Sequence, residues 1–201
     1  MRSTFLVIAL SWAAASADAD LAAEKPEDLC ILLQDFGLKT TAFVAPGEGE
    51  RPLCYTESKP KRIAEFGYEY SYRVLSHWEW DTVQSLFLLL QGHPDKILGK
   101  EPYSNFVRMS ERILSAFLDE PDMQQVLHAL QELAPGEHRH ATVRGINVQL
   151  HYVDYSFLGI GAGVELRLDL DNVCNYSPTD ARGRETCIAE YEQLQWSPSR
   201  F

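Results

Sequence analysis

Three histidines fall within a short stretch, GEHRHATVRGINVQLHYVD at 136–154: His138, His140 and His151. Imidazole titrates near neutrality and ligates transition metals, so such a cluster could move protons or hold an ion, with Glu137 or Asp154 as an acid–base partner. Spacing decides whether it can. On one straight strand His140 and His151, eleven positions apart, would stand about 36 Å from each other at roughly 3.3 Å per residue. If Arg144-Gly145 is instead a two-residue hairpin turn, Val143 faces Ile146, His138 falls opposite His151, and His140 falls opposite Gln149. Directly opposed Cβ atoms lie about 4.5–5.5 Å apart, within ligand range. Arg-Gly is a weaker turn signal than Asn-Gly or Asp-Gly, and a glycine inside a strand often marks a bulge. A bulge would also let Ala141 and Val143 join Ile146 and Val148 on a buried side. The sequence therefore favours a bulge at Gly145 and no catalytic, metal or cofactor site. The alternative is a hydrolase, metal-dependent in one version, with His138, His140 and His151 as catalytic residues and His138 and His151 as ligands. The H-x-H spacing lacks the H-E-x-x-H geometry that commits two ligands and a base to one helix.

Other groups admit a functional and a structural reading. Trp78 and Trp80 in HWEW could stack on a sugar or grip a peptide, but large aromatics beside an apolar segment are more often core. Tyr68, Tyr70 and Tyr72 could form a recognition face, yet Phe66 and Val74 in the same row point to burial. Asp169, Asp171, Asn172, Asn175 and Asp180 could offer oxygens to Ca²⁺, but the offsets of a calcium loop are missing, and the charged residues between leucines read as the wet face of a strand. GIGAG at 159–163 lacks the following helix of a phosphate-binding loop and reads as a flexible turn. No G-x-S-x-G elbow is present.

The elements that would position these groups begin with a helix opened by Pro26, Glu27 and Asp28, carrying Leu29, Leu32, Leu33 and Phe36, and closed by Gly37. A short strand at TTAFVAP and a long strand at RIAEFGYEYSYRVL follow. Asp81 and Gln84 form a D-x-x-Q capping box ahead of Val83 and Leu86 to Leu90, with Gly92 as terminator, which predicts a central buried helix over 81–91. Two amphipathic helices are expected at 105–118 and from Pro121 to about Leu133. After Gly136 the period becomes 2, giving strands over 146–152 and 164–170 joined by a long connection, DYSFLGIGAG. Strands and helices that fail to alternate regularly indicate α+β: a mostly antiparallel sheet with helices packed on one face.

Residues 1–19 carry a cationic tip, the apolar run FLVIALSWAAA and an A-x-A site, which together predict an export signal cleaved before Asp20. That leaves 20–201 as one domain, with no transmembrane segment expected and a periplasmic or extracellular destination. In an oxidising compartment the four cysteines predict two local staples, Cys30 with Cys54 and Cys174 with Cys187. A net charge of −11 repels phosphate backbones and argues against nucleic acid. The leading expectation is an exported binding protein, not an enzyme, whose partner is another protein or an envelope component. Its candidate surfaces are the 154–163 loop with Phe157, the 174–187 loop with Arg182, the Trp78 and Trp80 segment, and the open face of the sheet. A third reading is an assembly protein that dimerises through the apolar helix.

Overall fold

The computed structural model describes residues 26–44, 53–57, 67–76, 83–97, 99–155, 161–170 and 197–199. In these the chain is α+β, with strands β1 (Leu53–Tyr55), β2 (Tyr68–Ser76), β3 (Val83–Gly92), β4 (His138–Val143), β5 (Ile146–Tyr155), β6 (Gly161–Asp169) and β7 (Ser197–Ser199). They form one sheet in the order β1-β2-β3-β6-β5-β4-β7, antiparallel at every pairing. The helices are α1 (Pro26–Cys30), α2 (Pro94–Ile97), α3 (Lys100–Leu114) and α4 (Glu120–Gln131). No helix among the described residues is long and apolar enough to cross a membrane.

One sheet face is packed against the helices. Tyr72, Val74, Leu86, Leu88, Leu90, Val148, Leu150, Val164, Leu166 and Leu168 line it and are almost wholly buried. On the helices Phe106, Met109, Ile113, Leu114, Met123, Val126, Leu127 and Leu130 meet them in one core. The tyrosines of β2 belong to this layer. Tyr72 donates from its hydroxyl to the Leu29 carbonyl at 2.9 Å, and Tyr70 donates to the Pro102 carbonyl at 2.8 Å. Buried hydroxyls need such partners, which is why tyrosine can serve as a core residue here. The Cys30–Cys54 bridge ties α1 to β1. Cys174 and Cys187 lie outside the described residues.

Three expectations are corrected. The segment over 83–92 is a strand, the middle of the sheet, not a buried helix. Its backbone pairs with β2 on one side and β6 on the other. A central strand needs no polar face: Leu86, Leu88 and Leu90 point to the helices while Phe87 and Leu89 are half-buried behind. Such a run of consecutive apolar residues fits helix or strand equally by periodicity. The dimer seam imagined along that helix loses its premise. Secondly, the first helix is only α1, followed by a 3-10 turn at Gln34–Phe36 that Gly37 ends with a φ of 77°. Thirdly, β5 and β6 reach further toward each other than their alternation suggests, so Gly161 and Gly163 are strand residues and not part of a flexible turn.

Gly145 also differs from expectation: it is a turn and not a bulge. Arg144 has a φ of 47° and Gly145 one of 79°, and Val143 pairs directly with Ile146. Positive φ at both central positions is the mirror-image turn whose twist suits a hairpin. What compensates for the poor Arg-Gly signal lies elsewhere in the chain. The Arg144 guanidinium donates to Asp119, the N-cap of α4, and through Nε to Asp122 in its first turn at 2.8 Å. Replacing Arg144 with alanine is expected to lower stability by about 1 kcal/mol, near the upper end for a partly exposed pair. A double-mutant cycle with Asp122→Asn should recover most of that as coupling.

Candidate functional site: the helix-free face of the sheet

The two-residue turn fixes the register of β4 on β5, and with it the histidines. His138 opposes His151, His140 opposes Gln149, and Thr142 opposes Asn147. Side chains at opposed positions share a face, and here that face is the one without helices. Continuing across β6, β3 and β2 gives three transverse rows. The first runs His138, His151, Glu165, Leu89, Ser71; the second His140, Gln149, Arg167, Phe87, Arg73; the third Thr142, Asn147, Asp169, Ser85, Leu75.

In the first row the His138 and His151 rings touch edge to face, with centroids 3.8 Å apart at 70°. His140 is 5.9 Å from His138. The Nε2 atoms of His138 and His151 are both shielded from solvent, and that of His151 makes no hydrogen bond among the described residues. Burial holds the His151 imidazole below its ordinary pKa, and the Arg167 cation pushes the same way. His138 is lowered by burial and then by its neighbours His151 and His140. Glu165, beside His151, moves in the opposite direction: burial raises its pKa, and Arg167 and Arg73 only partly offset that. All three groups are thus biased toward their neutral forms, a pattern that concentrates at functional sites and also arises in structural clusters.

The second row is the most open. Arg73 and His140 are exposed, and the Arg167 guanidinium stands 4.8 Å from the centre of the Phe87 ring. Its orientation is set by Asp169, which accepts from Arg167 Nε at 2.8 Å and from Gln149 Nε2 at 2.9 Å. Near β2 the face is less open than alternation suggests, since Glu69, Ser71 and Ser85 are buried.

The structure therefore brings the three histidines onto one surface. Two ligands sharing a tetrahedral ion, each nitrogen about 2 Å from it, would hold their ring centres roughly 5 Å apart. The His138 and His151 rings as placed are closer than that. Among the described residues no group of three or more His, Cys, Asp or Glu has metal-binding geometry. Glu137 is engaged elsewhere. Its carboxylate accepts from Arg139 Nε at 2.7 Å and from the Ala134 amide at 2.9 Å, and these bonds, Arg139 first, hold its pKa down. Arg139 projects to the helix side and donates to the Ala129 and Glu132 carbonyls at the end of α4. The backbone of Asp154 lies in β5. Trp78, Trp80, Phe157 and Arg182 fall outside the described residues.

Glu165, Arg167 and Phe87 were not singled out by sequence reasoning. The alternation that assigned Glu165 and Arg167 to a wet strand face was correct, but only the β5–β6 and β3–β6 registers show which residues they meet. Comparison with protein-family models, with curated proteins and with solved structures gives no match.

Proposed function

We propose that this chain is an exported binding protein that recognises another protein or an envelope component through the open row of its helix-free sheet face, without chemistry of its own. The observation that carries this reading is the Arg167–Phe87 platform at 4.8 Å, flanked by Arg73 on β2 and by Gln149 and His140 on β5 and β4. Arginine and aromatic side chains are the types enriched where proteins bind one another, because each supplies a broad contact area with directional polar edges. Arg167 is pre-oriented by Asp169, so little side-chain freedom is left to lose on binding. Export is supported by the N-terminal pattern and is in keeping with the Cys30–Cys54 bridge, which persists in oxidising compartments.

A photo-crosslinking residue placed at Arg73 or Gln149 in the full chain, expressed in its own cells, is expected to trap one recurrent partner. The same residue at Glu111, exposed on α3, should not trap it, and adding Arg167→Ala should weaken capture by about tenfold, as loss of an interface anchor of 1–2 kcal/mol would. Equal trapping from Glu111, or capture indifferent to Arg167, would remove the sheet face as the recognition surface. Mass spectrometry of the mature protein should find Asp20 at its N-terminus.

A further inference from the structure

We propose that the His138–His151 pair is an acid-sensitive latch near one edge of the sheet: two neutral rings in contact hold β4 onto β5, and protonation of the pair opens that side. The proposal stands whether or not the open row binds a partner. Its basis is geometric. The rings occupy directly opposed positions, are 3.8 Å apart, and keep both Nε2 atoms out of water. Adding a proton to each places two cations in contact, with neither Nε2 edge open to water. Like charges at that distance repel, and partial burial of the pair weakens the screening between them.

The charged and titratable groups facing the pair reinforce this sign. On β4 itself His140 adds a third imidazole, and on β6 Arg167 adds a permanent cation that disfavours protonation of His151. Among the described residues a counter-charge facing the pair is Glu165 on β6, opposite His151, and burial biases it toward the neutral acid. Asp169, one row away, already accepts from Arg167 and Gln149. On the other side of β4, β7 pairs through three backbone positions from His138 to His140. The latch residue therefore lies where β4 joins both neighbours, and its release would loosen β7 as well as the β4–β5 ladder.

A histidine whose pKa is lower folded than unfolded leaves the unfolded or opened state with more bound protons, so stability falls as pH drops below the unfolded value near 6.5. Glu165 acts oppositely: its raised folded pKa weakens the fold as pH rises through the carboxylate range, and acidification relieves that.

The test is an NMR titration of the six histidines together with amide hydrogen exchange between pH 7 and pH 5 on the full chain. Expected is that His138 and His151 both titrate below the ordinary histidine range. Protection of β4 and β5 amides should fall over that interval by about tenfold for each unit the titration reads between folded and ordinary pKa. Protection of the central β3 and β6 amides should change far less. In His151→Gln the fall should shrink and His138 should titrate closer to its ordinary value, while His140→Gln should leave most of the fall in place. Either ring titrating at or above the ordinary value would overturn the latch, and that result needs no variant. So would an equal loss of protection in β3 and β6, or a pH dependence unchanged in His151→Gln.

Discussion

Replacing Gly161 with alanine is expected to destabilise the protein by about 3 kcal/mol or more, the range for strain combined with a backbone clash. Gly161 begins β6 with a φ of 95°, and an added Cβ would stand 2.2 Å from the Gly92 carbonyl oxygen and 2.8 Å from its carbon. Both neighbours are backbone, and Gly92 is pinned in turn, since a Cβ there would meet the Gly67 oxygen at 2.2 Å. The only relief is to pull β6 away from β3, which breaks the central pairing of the sheet. Gly136 provides the control. Its φ is 76° with open space around the Cβ position, so Gly136→Ala should show the left-handed backbone term alone, about 1–2 kcal/mol. Denaturant midpoints of the two variants measure the difference. Equal losses would mean that close approach of strands does not govern position 161.

Removing the Cys30–Cys54 bridge by replacing both residues with alanine is expected to lower stability by about 3 kcal/mol. The cysteines are 24 positions apart, and the entropy of closing a loop of that size in the unfolded chain gives roughly 3.5 kcal/mol before native-state effects. Both side chains are buried, at 4 % and 0 % exposure, so a packing loss adds to the entropic one. The consequence should be local as well as global, because α1 reaches the sheet through this bridge, through the Tyr72 hydroxyl on Leu29 and through Thr40, which donates to the Cys30 carbonyl at 2.7 Å. For a chain of this size the melting temperature should fall by about 6–12 °C. An unchanged melting temperature in the double variant, with the wild-type protein verified as oxidised, would show that packing and these hydrogen bonds hold α1 without the bridge.

The candidate site residues divide along the same line as the fold. That His138 and His151 could meet was visible from counting outward from Arg144-Gly145, but whether they do depended on the turn. In the turn Arg144 pairs with Asp119 and Asp122, more than twenty positions away, which no local window of the sequence displays. Alternation of the buried side could not decide it, since in either geometry Ala141, Val143, Ile146 and Val148 share one face. The Arg167–Phe87 platform was out of reach for a simpler reason: one member lay in a segment expected to be helical.

By itself the sequence determined the local structure wherever one periodicity was unopposed: the strand of β2, the alternation of β5 and β6, and the apolar stripes of α3 and α4; it favoured Cys30 with Cys54 among three possible pairings, and the structure shows that bridge. It also determined the α+β class, because those elements cannot be arranged as alternating parallel units. Tertiary structure alone decided that 83–92 is a strand, because a segment flanked by two strands and apolar on both faces lacks the polar alternation that would mark it. It also decided that Gly145 is a turn and that His140, Gln149, Arg167, Phe87 and Arg73 form one row. Those outcomes involve strand pairing and ion pairs between residues far apart in the chain, which local preferences of the sequence do not display.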